Sequence, residues 1–187
     1  MSLDAVLDHI DADLENSIAR LLDLMRIQSI STDPAYADDC QAAAEWLVDD
    51  LNSIGFDAEI RPTTGHPMVM AKGGQGGTHT LFYGHYDVQP VDPLDLWDNP
   101  PFEPGLEETS NGPVIRGRGS SDDKGQLMTF VEACRAYKEV TGTLPAKISI
   151  FFEGEEESGS PSLVPYMEAH KEELQAEVGW ICETGMG

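Results

Sequence analysis

The sequence predicts an α/β fold, a three-layer α/β/α sandwich in which helices cover both faces of a mixed, largely parallel sheet. Three observations carry that reading. Helix-like and strand-like segments alternate along the chain, glycine- and proline-bearing breaks fall between them, and 40% of the 187 residues are hydrophobic, enough to bury a core within one ordinary domain.

Each element follows from its local pattern. Leu3, Val6, Leu7, Ile10, Leu14, Ile18, Leu21, Leu22 and Met25 recur at three- and four-residue spacing, which predicts an amphipathic helix across 3–28. A second helix, about 38–53, places Ala42, Ala43, Trp46, Leu47, Leu51 and Ile54 on its apolar side, with Gly55 as its stop. Residues 56–61 and 68–72 then read as short strands, and the run KGGQGGTH leads into a third at 80–84. That run is not a phosphate-binding loop, because no GK[ST] follows and a strand comes next. From His85 to Gly112 the chain is proline-rich and aperiodic, and a loop this long inside a compact domain is usually functional. A strand at 114–116, a helix at 124–140 ended by Gly142 and Pro145, a strand at 147–152, a helix at 162–174 and a strand at 178–182 complete the alternation. No internal repeat, low-complexity segment or domain boundary interrupts it.

Charge narrows the partners. Eleven basic against 34 acidic residues leave a formal charge of −23, so phosphate backbones and anionic lipid are repelled, and neither nucleic acid nor a membrane is an expected partner. No apolar stretch approaches the roughly 18 residues that a bilayer helix needs. The N-terminus, MSLDAVLDHIDADLENS, lacks the basic and continuous apolar regions of a secretory signal, which predicts a cytoplasmic protein. Cys40, Cys134 and Cys182 are odd in number and widely spaced, so they read as reduced, mostly buried thiols. The acidity itself has two readings: a strongly solvated surface, or carboxylates that converge on cations. Their positions decide.

Polar clusters follow successive predicted strands: HYD at 85–87, SSDD at 120–123, EGEEE at 153–157 and Glu183. Ligands of open α/β sheets bind outside the carboxyl ends of the strands, so four arrivals at one rim signal a metal site. On an extended chain His85 and Asp87 share a face, which lets the carboxylate orient a metal-binding imidazole. Asp122 and Asp123 open a helix; a cap needs one of them, and the other is spare for a cation. Glu155 reads as a solvated loop residue. Glu156 and Glu157 point to opposite sides, so one can bind metal while the other acts as a general base.

In order, GHYDVQP (84–90), WDNPPFEP (97–104), GRGSSDDKG (117–125), EGEEESGS (153–160) and CETG (182–185) resemble the co-catalytic zinc peptidase and deacylase family. That family includes acetylornithine deacetylase, succinyl-diaminopimelate desuccinylase, glutamate carboxypeptidase and carnosinase-type dipeptidases, and the HYDVQP and EESGS forms look more like its dipeptidase branch. The resemblance implies two zinc ions, with manganese or cobalt as substitutes. His85 and Glu183 would bind one zinc, Asp122 would bridge both through a residue joined to Asp123 by a cis peptide, and Glu157 would bind the second. Asp87 would orient His85, and Glu156 would be the general base.

Two departures bear on these expectations. Glu183 stands where many members have Asp. Members are also commonly about twice this length, the rest being a lid that forms a homodimer and a C-terminal segment that supplies a last histidine to the second zinc. His9, His66, His79 and His170 read as surface residues that do not replace it. The chain is thus expected to be the N-terminal part of a catalytic domain, inactive alone, whose parent hydrolyses an amide bond of a dipeptide or small peptide. An N-acyl amino acid deacylase and a non-catalytic metal-binding fragment are the competing readings.

Overall fold

The computed structural model describes residues 3–182. The first predicted helix is two: α1 (Leu3–Ala12) and α2 (Leu14–Met25). The break falls at Asp13, whose carboxylate lies 2.5 Å from Asn16 Nδ2 and 2.9 Å from Arg20 Nη2. Helix α3 (Ala37–Ser53) stops before Gly55, whose φ of +93° takes the chain out of the helix.

Strands β1 (Asp57–Arg61), β2 (Met68–Gly73), β3 (Thr80–His85), β6 (Ile148–Glu153) and β7 (Val178–Ile181) form one sheet in the order β1-β2-β6-β3-β7. The pairs β6–β3 and β3–β7 are parallel, whereas β1–β2 and β2–β6 are antiparallel. The sheet is mixed as expected, but its parallel share is smaller than "largely parallel" implies. The short 62–67 connection forces β1 and β2 into a hairpin, while the crossovers through helices α4 (Lys124–Thr141) and α5 (Leu163–Ala169) permit parallel neighbours.

Alternation along the strands fills two layers. Val69, Ala71, Phe82, Ile150 and Phe152 face helices α2, α3 and α4, where they meet Leu24, Leu47, Leu51, Leu127 and Val131. Met68, Met70 and Phe151 point to the opposite face and pack with Tyr166 of α5 and Leu174. Helix α5 is shorter than the predicted 162–174 segment. His170 leaves helical geometry at φ −117° with its ring stacked on Tyr166 at 4.2 Å, and Leu174 folds back onto the sheet.

One element escaped the sequence pattern. Strands β4 (Gly105–Thr109) and β5 (Gly112–Arg116) form a separate hairpin inside the stretch read as aperiodic. In β4 the one large apolar side chain, Leu106, is exposed, and in β5 Val114 and Ile115 are adjacent rather than alternating, so the pair gives no period-two apolar signal. The strand predicted at 114–116 therefore belongs to this hairpin rather than to the main sheet, and Ser120–Asp123 follows it from outside that sheet.

Cys40 and Cys134 are buried and unpaired, with burial pushing both thiols up to about 12, while Cys182 is half-buried. No described helix is long and apolar enough to cross a membrane.

Candidate metal centre

Three donors converge at the carboxyl end of the sheet. His85 ends β3, Asp122 lies just before α4, and Glu157 sits in the turn after β6; one ligand atom from each lies within 4.8 Å of the others. Bonds of about 2.0–2.2 Å to a single zinc place two donors up to about 4.4 Å apart, so this imidazole–carboxylate set fits a hard-to-borderline divalent ion after small side-chain adjustments. Glu183 lies outside the described residues.

His85 is buried and has a different partner on each ring nitrogen. Nδ1 lies 3.2 Å from Asp87 Oδ1 and 3.1 Å from the Asp87 carbonyl, while Nε2 faces the rim, 3.0 Å from Asp122 Oδ1 and 3.9 Å from Glu156 Oε2. Burial favours the neutral ring, but the hydrogen bond and charge of Asp87, aided by Asp123 and Asp122, outweigh it and raise the imidazole to about 10. The backbone N–H of His85 donates to Asp123 Oδ2 at 3.0 Å. Asp123 is fully buried in this role and makes no side-chain cap bond to α4, while exposed Asp122 faces the donors. The peptide bond between them is cis.

Asp87 also holds the loop of glutamates. The backbone N–H of Glu156 donates to its Oδ1 at 3.2 Å, and that of Glu157 to its Oδ2 at 3.0 Å. One buried carboxylate thus orients both the imidazole and the turn that carries the two glutamates. The Glu157 carboxyl, half-buried, is pushed up by desolvation and restrained by a hydrogen bond from Gln89.

Glu155 corrects the sequence reading of a solvated residue. It is 3% exposed, accepts the backbone N–H groups of His66 at 2.9 Å and Ser162 at 3.0 Å, and so clamps the 63–66 turn to the glutamate loop. Gly65 makes room for it: a Cβ there would stand 1.5 Å from Glu155 Oε1. An isolated run of three glutamates gives no hint that the first one points inward.

Other contributors were missed. Ser31 donates to Asp87 Oδ2 at 2.5 Å, and His66 Nε2 lies 3.1 Å from the Ser31 carbonyl. Nothing in the sequence marks Ser31, because its contact spans 56 positions. Lys124, within the GRGSSDDKG run, is fully buried and donates to the carbonyls of Leu24 and Ile27, closing the end of α2. The remaining histidines have structural partners: His9 pairs with Glu139, His79 with Ser149 Oγ and His170 with Glu173.

The model of peptidase family M20/M25/M40 matches residues 81–187. Among curated relatives, the Cys-Gly metallodipeptidase of Schizosaccharomyces pombe is 30% identical over 97% of this chain and 40% of its own length. The succinyl-diaminopimelate desuccinylase of Bordetella pertussis is 33% identical over 72% of this chain and 33% of its own. Among solved structures, human carnosine dipeptidase 1 superimposes with a TM-score of 0.88 at 25% identity, covering 98% of this chain and 41% of that one. The chain therefore spans about two fifths or less of the length of these relatives. More than half of the sequence matches the family model and the fold agrees with a solved dipeptidase, so this chain belongs to peptidase family M20/M25/M40.

Proposed function

We propose that this chain is the N-terminal part of a catalytic domain that hydrolyses the amide bond of a dipeptide or small peptide at a two-zinc centre. The observation that carries the reading is the convergence of His85, Asp122 and Glu157 around one point, with Glu156 beside them. In this reading His85 and Glu183 would hold one ion, Glu157 would hold the other, and Asp122 would be shared between them.

Bound divalent ions supply Lewis acidity, which polarises the scissile carbonyl and acidifies a water molecule. The chain's own groups do the rest. Asp87 engages His85 Nδ1 and so leaves Nε2 as the donor. Asp122 has two carboxylate oxygens, enough for two cations. Glu156 takes the proton from the attacking water and returns it to the nitrogen of the departing amine, so water and amide become acid and amine with no net proton change.

The likeness to a desuccinylase favours a second reading, hydrolysis of an N-acyl amino acid by the same groups. Zinc-loaded full-length protein assayed on dipeptides and on N-acetyl and N-succinyl amino acids separates the two. Turnover of dipeptides supports the first reading; turnover of acyl amino acids alone overturns it in favour of the second.

A further inference from the structure

One amide side chain joins two segments of the chain that lead to candidate metal ligands. Gln126 lies half-buried in the first turn of α4. Its Nε2 donates to the carbonyl of Ser121 at 2.8 Å, and its Oε1 accepts from Cys182 Sγ at 3.0 Å, across 56 positions. Ser121 immediately precedes Asp122, and Cys182 immediately precedes Glu183.

The topology makes this bridge possible. Strand β7 runs parallel to β3 with Ile181 opposite Tyr83, so Cys182 follows at the end of the sheet that carries His85. Helix α4 begins at that same end, since its N-cap residue, Asp123, accepts the backbone N–H of His85. The start of the helix lies close against the preceding stretch: a Cβ at Gly125 would stand 2.0 Å from the Ser120 carbonyl oxygen. The amide fits its two neighbours in one orientation. A carbonyl can only accept, so Nε2 faces Ser121, and the amide oxygen is left for the thiol, whose S–H is a weak donor.

The bond to Ser121 restrains the peptide that joins it to Asp122. That restraint matters because the Asp122 side chain is 59% exposed, so the aim of its carboxylate depends on the backbone beneath it rather than on packing. We propose that Gln126 is a positioning residue of the metal centre, a brace that sets the spacing between the segment bearing Asp122 and the segment bearing Glu183. It acts through these two stretches of main chain rather than as a ligand, and the part given to Glu183 rests on the hydrolase reading above. A methionine at this position would match the length of the side chain and offer neither bond.

The test compares full-length protein with Gln126→Met, Cys182→Ala and Cys182→Ser variants, loaded with zinc or with cobalt(II). Zinc affinity is read by competition with a chromogenic chelator, and the visible absorption of bound cobalt reports the arrangement of its ligands. In Gln126→Met, zinc affinity falls about tenfold, the scale of losing a group that orients a metal ligand, and the cobalt bands change in position or intensity. Cys182→Ala removes one of the two bonds and loses several-fold, while Cys182→Ser keeps a donor and stays closer to the parent. Should Gln126→Met fail to fold, by near-ultraviolet circular dichroism, Cys182→Ala decides. Folded Gln126→Met with parental zinc affinity and cobalt bands overturns the brace even if its melting temperature falls, because that pattern belongs to a residue that only stabilises the fold. Dipeptide hydrolysis by the parent protein reports separately on the hydrolase reading: hydrolysis with unchanged metal readouts in Gln126→Met refutes the brace alone, and altered metal readouts without hydrolysis refute the hydrolase alone.

Discussion

His85 and Asp87 form a buried pair, Nδ1 to Oδ1 at 3.2 Å, in which the same carboxylate that steadies the ring also receives the backbone N–H groups of Glu156 and Glu157. Asp87→Ala is therefore expected to loosen both sides of the centre together. Zinc affinity, read by competition with a chromogenic chelator, should fall by about 10–100-fold, the usual cost of losing a carboxylate behind a metal-binding histidine. Unchanged affinity would show that the imidazole is held by other means.

The charge state of His85 gives a pH prediction. Held up to about 10 in the metal-free protein, the ring must lose a proton to become a donor. Zinc affinity measured at pH 6, 7 and 8 should rise by about tenfold per unit for that one proton. The protonated ring also stabilises the metal-free fold. Because its folded value is raised, that contribution is complete below the ordinary value of 6.5 and fades as pH rises through about 10. The melting temperature of the metal-free protein should accordingly decline from pH 6 to pH 9, and a flat profile would contradict the pairing.

Glu155 should be structural. Glu155→Ala leaves the N–H groups of His66 and Ser162 without their acceptor, a loss of roughly 2–3 kcal/mol in urea unfolding. A loss below about 0.5 kcal/mol, the ordinary range for a surface substitution, would return Glu155 to the solvated loop.

How far the sequence could be read follows from the range of each interaction. Helix α3 and strands β1, β2, β3, β6 and β7 were legible because local periodicity encodes them, and the polar runs holding His85, Asp122 and Glu157 stood out by residue chemistry, although the choice of Asp122 over Asp123 and of Glu157 over Glu156 came from the family resemblance. The break at Asp13 was not, since the apolar stripe runs through it from Ile10 to Leu14 and Ile18 without a change of period. Strand β4 and its pairing with β5 were hidden because β4 buries little and carries no alternation. Ser31, Glu155 and Lys124 matter through partners 56 to 100 residues away, and no spacing rule spans such gaps.

Away from the centre, Glu132 ties α4 to α2 through Arg20 and Ser17 and contacts Arg135 within its own helix. Desolvation raises its carboxyl, but these partners outweigh it and hold it below the usual glutamate value of 4.5. A lowered folded value means that the stabilisation is present above 4.5 and is lost as pH falls through the folded value. Glu132→Gln should cost about 1–2 kcal/mol near neutral pH, discounted for its partial exposure, and should flatten the acid limb of the melting profile. An acid limb identical to that of the parent would assign the acid sensitivity to other carboxylates.

The central claim is that Glu156 handles the proton while its neighbours hold the metal. The most direct measurement compares zinc content and dipeptide turnover in full-length protein with and without Glu156→Gln. The account predicts unchanged zinc with kcat reduced by about 10²–10⁴-fold. Normal turnover in the glutamine variant, with zinc retained, would contradict it.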